Sequence, residues 1–164
     1  QVQVNLPALE RVGEIVEFRN NEDLVVFASA FQRLRAVGGG LSFETNGANF
    51  TGLSLPALTS VGGSVTVSGN GVLDTLGLPL LASVGASFEV SANPQLDGLV
   101  LPLFHDLAGV DGAEEDLIIS GNHADIACAD EITTIFCAID VAPDLFLLRE
   151  GATMCFGGAA PSCS

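Results

Sequence analysis

The chain has 164 residues and a formal net charge of −15 at pH 7, and all five of its basic residues are arginines. Between Ala36 and Leu148 there are fourteen acids and no basic residue, a field that repels phosphate backbones and anionic lipid and so excludes nucleic acid as a partner. No run approaches 18 uninterrupted apolar residues, so a membrane-spanning helix is excluded, while 48% apolar composition suits one domain with a real core.

The chain starts at Gln1 without Met or a basic–apolar leader, as expected of a processed or trimmed product. Gln1–Asn5 (QVQVN) alternates Val2 and Val4 like the end of one more coil. From Leu6 a phrase of about 24 residues begins. It reads LPALERVGEIVEFRNN, then AFQRLRAVGGGLSFETN from Ala30, LPALTSVGGSVTVSGN from Leu55 and LPLLASVGASFEVSAN from Leu78. A fifth, interrupted copy opens as LPLFHDLAGV at Leu101 and recovers as LIISGN up to Asn122. The anchors Val12, Val37, Val61 and Val84 step by 25, 24 and 23, and each is followed nine residues later by Asn21, Asn46, Asn70 or Asn93. A fixed period of this length means a solenoid, whose units bury their apolar faces only against their neighbours.

Within each copy Leu41-Ser-Phe43, Val65-Thr-Val67 and Phe88-Glu-Val90 alternate as strands with one buried face. A second strand is expected at Leu53–Leu55, Leu76–Leu78 and Leu99–Leu101, before a corner marked by Pro7, Pro56, Pro79 and Pro102. The pairs Gly38-Gly39 and Gly62-Gly63 mark another corner, where positive φ or close backbone approach is required. No helical stripe recurs, and the apolar step after Asn70 comes at Leu73, not two residues on as in a leucine-rich repeat. The expected fold is an all-β, right-handed parallel β-helix of about five coils of 23–25 residues. Residues 1–126 would form the coils and 127–164 a C-terminal cap with a short helix at Ala129–Ile139. Asn21, Asn46, Asn70, Asn93 and Asn122 are expected to form a structural ladder, each amide bonding turn backbone and the next Asn.

Cys128, Cys137, Cys155 and Cys163 all lie in that tail, spaced unlike zinc pairs or a redox CxxC, so two disulfides stapling the cap are expected, with three connectivities open. Asn49-Phe50-Thr51 is the one N-glycosylation sequon. Asp111, Glu114, Glu115 and Asp116 fill the insertion of the fifth copy; they offer carboxylates to calcium but lack EF-hand spacing, so a solvated loop is the expectation. His105 and His123 form no metal or general-base motif, and no GxSxG occurs. The outward residues Glu17, Ser42, Thr66 and Glu89, beside Arg19, Glu44, Ser68 and Ser91, read as a mixed polar ladder. That ladder lacks the paired carboxylates of a polysaccharide-cleaving β-helix and the threonine array of an ice-binding one. No enzyme, metal site or cofactor is expected.

The motif L-P-x-L-x-x-V-G-G-x-V-x-V-x-x-N-x-x-L, spread over residues 6–126, resembles the repeats of receptor L domains, including those of the insulin and epidermal-growth-factor receptors. It is more similar still to GPI-anchored fungal cell-wall glycoproteins and secreted microbial repeat proteins. The resemblance implies a right-handed β-helix at a cell surface or in an extracellular matrix, without catalysis. Four of the arginines (Arg11, Arg19, Arg33, Arg35) sit in the first two coils and the acids follow. With no cap ahead of the first coil, the expectation is a secreted structural protein that associates head to tail with itself, in a filament or layer. The alternative is a module binding extracellular proteins, peptides or glycans on one face.

Overall fold

Alternation of apolar and polar residues in four-residue stretches builds the longest sheet of this protein. The computed structural model describes residues 2–26, 30–107, 117–123, 126 and 146–149. Val16–Arg19, Leu41–Glu44, Val65–Ser68, Phe88–Ser91 and Leu117–Ser120 lie side by side in that order, with Val16 over Leu41, Val65, Phe88 and Leu117 in one column. Each central strand buries its first and third residues and turns its second and fourth outward. The spacing that the sequence alternation requires is therefore the spacing the core uses.

Two further sheets close each turn. Arg11–Val12, Ala36–Val37, Ser60–Val61, Ser83–Val84 and Asp106–Leu107 form a face of two-residue strands. Gly52–Ser54, Thr75–Gly77 and Gly98–Val100 form the third face, one residue earlier than the sequence suggested, and Val2–Val4 pairs with Leu24–Val26 in the first turn. Every strand pairing among the described residues is parallel. The molecule is a β-solenoid of about four turns.

The tail contributes more than the sequence indicated. Phe146–Arg149, inside the segment assigned to the cap, pairs in register with Leu117–Ser120 and extends the four-residue sheet by one strand. The expected helix at 129–139, the four cysteines and the acidic loop at 111–116 lie outside the described residues.

The interior is a set of apolar columns. Leu34, Leu58, Leu81 and Phe104 hold one corner, and Val37, Val61, Val84 and Leu107 line the two-residue face. Phenylalanines fill the wide turns: Phe43 stacks on Phe18 at 5.1 Å and on Phe50 at 5.6 Å, with Phe31 edge-on at 6.5 Å. Where the next turn has Val67 and Leu73 at those places, smaller side chains fill the same columns.

Two corners show how backbone geometry fixes the turn. The residue before each ladder asparagine is left-handed: Asn20 (φ 54°), Thr45 (51°), Gly69 (66°), Ala92 (52°) and Gly121 (63°). A β-branched residue such as Thr45 pays roughly 1–2 kcal/mol for that conformation, so the surrounding bonds must impose it. The glycine corner works differently. Gly38, Gly62 and Gly85 do not have positive φ; a Cβ on any of them would lie against the carbonyl of Gly13, Gly38 or Gly62 in the turn below.

Candidate interaction surfaces

The ladder asparagines are interior, not ligands. Asn70 and Asn93 are fully buried, and Asn46 and Asn122 nearly so. Each uses its amide in two directions. Asn70 Nδ2 donates to the strand carbonyl of Phe43 in the turn below (2.9 Å) and to Asn93 Oδ1 in the turn above (3.2 Å). Its Oδ1 accepts from the backbone N–H and Nδ2 of Asn46 at 3.0 and 3.2 Å. Asn46, Asn93 and Asn122 repeat the backward bond to Phe18, Val67 and Val90. Asn21, in the first turn, has no strand below it among the described residues and donates instead to its neighbour Arg19 O at 2.9 Å and forward to Asn46 Oδ1 at 3.1 Å.

The outward face of the long sheet carries the polar ladder, and its charged groups are spent on one another. Arg19 donates to Glu44 at 2.7 Å and lies 3.4 Å from Glu17, while Ser42 Oγ donates to the same Glu44 oxygen at 2.6 Å. Ser91 Oγ likewise donates to Glu89. Thr66 and Ser68 stand between these groups, and Ile118 interrupts the polar column beyond Glu89.

The two-residue face forms a shallow open trough floored by Ala36, Ser60 and Ser83 and edged by Gly38, Gly62 and Gly85. It offers small hydroxyls and closely approached backbone, with Asp106 at one end. His105 sits beside that end, exposed, its Nδ1 2.6 Å from Leu103 O; His123 is half-buried past the last ladder asparagine. Among the described residues no three of His, Cys, Asp and Glu are grouped to hold a metal ion. No described helix is long and apolar enough to cross a membrane. Asn49 and Thr51 of the sequon are exposed on a turn, and Phe50 between them is buried on Phe43.

The first turn differs most from its neighbours. Leu9, Val12 and Phe18 are only partly buried, whereas their equivalents Leu34, Val37 and Phe43 are 0–1% exposed. Leu6 is 46% exposed and Ile15 61% exposed on the same end. Among the described residues Val2–Val4, Arg11–Val12 and Val16–Arg19 each pair on one side only. Among the described residues, partly exposed core side chains and strands paired on one side lie together here, with Arg11 and Arg19 beside them. Sequence reading did not single out Ile15 or Phe18.

Comparison with protein-family models, with curated proteins and with solved structures gave no match. The class that the fold defines is a parallel β-solenoid.

Proposed function

We propose that this chain is a secreted, non-catalytic structural and interaction protein of a cell surface or extracellular matrix, and that it associates with itself end to end in a filament or layer. The observation that carries the reading is the combination in the first turn, among the described residues, of partly exposed core residues with strands paired on one side, a template for further pairing. Right-handed winding belongs to the same reading, since parallel crossover connections are right-handed in nearly all sheets. So does a tail stapled by disulfides among Cys128, Cys137, Cys155 and Cys163.

The surfaces support a non-catalytic reading. The acids of the long sheet are held by Arg19, Ser42 and Ser91, and in the trough a carboxylate, Asp106, stands only at one end, paired in register with Ser83. A second reading draws on that trough: a module that takes an extended peptide or glycan chain along Ala36, Ser60 and Ser83. Light scattering on the purified 164-residue chain separates the two. The first reading expects mass to rise with concentration at physiological ionic strength. A single monomer mass up to millimolar protein overturns it and leaves the binding module.

A further inference from the structure

Resting on the secreted reading, we infer that Asn49 carries an N-linked glycan, presented on a corner of the stack that is one residue wider than its neighbours. Gly52 pairs in register with Thr75, and Thr75 with Gly98, so the stretches that follow Asn46, Asn70 and Asn93 run to the same column. The stretch after Asn46 is one residue longer than the other two. In those two the β-turn starts at the ladder asparagine itself: Leu73 N–H donates to Asn70 O at 3.2 Å, and Leu96 N–H to Asn93 O at 3.0 Å. After Asn46 it starts one residue later, with Phe50 N–H donating to Gly47 O at 3.0 Å. The added length goes outward. Ala48 and Asn49 are the two central residues of that turn, and both are exposed.

The crest is fixed at both ends. Gly47 N–H donates to Asn21 O at 3.0 Å, and Thr51 O accepts from Asp74 N–H at 2.8 Å. Between them Phe50 is fully buried, its ring stacked on Phe43 at 5.6 Å. The middle residue of the sequon is thus the anchor, and the two residues that define an acceptor site, Asn49 and Thr51, are left at the surface. Neither the Asn49 amide nor the Thr51 hydroxyl makes a hydrogen bond among the described residues. The ladder asparagines are the contrast: Asn46, Asn70, Asn93 and Asn122 are buried, bonded in two directions, and none begins a sequon.

The modification is a group transfer from an oligosaccharide carried on a polyprenyl diphosphate. The bond from the anomeric carbon to the diphosphate oxygen breaks, and the diphosphate leaves with its electron pair. Asn49 Nδ2 forms the new bond to that carbon and gives up one proton. Its place in the coil sets what the sugar covers. Asn49 stands on the corner between the long sheet and the face of Gly52–Ser54. A glycan there opposes side-by-side packing through either of those faces. The trough along Ala36, Ser60 and Ser83 lies on the remaining face and stays uncovered.

Mass spectrometry of the chain recovered from the cells that make it, and separately from their medium, tests this. Enzymatic release of N-glycans in heavy-oxygen water is expected to read Asn49→Asp with the heavy label in the secreted material. Thr51→Ala, made in the same cells, is expected to lose the glycan completely, and Thr51→Ser to keep most of it. Circular dichroism checks the fold of each variant: the Thr51 side chain is exposed and makes no hydrogen bond among the described residues, so Thr51→Ala should melt as the enzymatically deglycosylated parent does. A secreted chain with Asn49 unmodified overturns the inference and leaves secretion standing. A glycan that persists in Thr51→Ala places the modification elsewhere and also overturns it. A chain found only inside the cells, with Asn49 unmodified, overturns the inference together with the secreted reading it rests on.

Discussion

Asn70→Ala is expected to destabilise the chain by about 3–5 kcal/mol, seen as a fall of roughly 10 °C in melting temperature by circular dichroism. The size follows from the groups left behind. Removing this amide strips the acceptor from the backbone N–H and Nδ2 of Asn46 and the donor from Phe43 O and Asn93 Oδ1, all away from solvent. Each buried orphan costs about 1–3 kcal/mol, less whatever water or rearrangement recovers. Asn70→Asp does not rescue the site, since a carboxylate cannot donate to Phe43 O and faces the oxygen of Asn93. Asn21→Ala, in the first turn with one backbone bond and one ladder bond, is expected to cost only about 1 kcal/mol. A flat response along the ladder would mean that the amides are ornaments of the corner and not its fastening.

Gly62→Ala is the second large effect, expected at about 3 kcal/mol or more. A Cβ here lies against the carbonyl oxygen of Gly38, which is backbone and cannot swing aside. Nor can the two turns part easily, because Gly62 N–H donates to Val37 O at 2.8 Å and Gly85 N–H to Val61 O at 2.9 Å. The control is Gly71→Ala, where no heavy atom lies within 4 Å of the added carbon and φ is not positive. That substitution is expected to be neutral, or stabilising by about 0.4–1 kcal/mol through the unfolded chain. Urea denaturation of the pair distinguishes steric stacking from a general penalty on glycine replacement.

The parts of this molecule that repeat were legible in the chain, because stacking forces equivalent residues to solve the same problem in every turn. Val65-Thr-Val67 and Phe88-Glu-Val90 state the strand and its buried side, and the even spacing of the asparagines states a shared interior role. What escaped sequence reading has no residue-type signature. The left-handed corner is occupied by Asn20, Thr45, Gly69, Ala92 and Gly121, so composition does not mark it; the neighbouring ladder bond imposes it. The glycine corner was recognised, yet close approach and not positive φ explains it. Phe146–Arg149 carries none of the repeat phrase, and only tertiary pairing reveals it as a strand of the long sheet. Nor was the hydrogen-bond phase of Glu17 and Arg19 legible, since the direction of a strand residue's hydrogen bonds depends on register.

Residue-resolved amide exchange on the full chain bears most directly on the picture of piled turns. In dilute solution the amides of Phe18, Phe43, Val67 and Val90, which bond to the neighbouring turn, should be protected, while those of Glu17 and Arg19, which do not, exchange faster. Equal protection of Glu17 and Phe18 in the dilute monomer, or rapid exchange through the central turns, would contradict it.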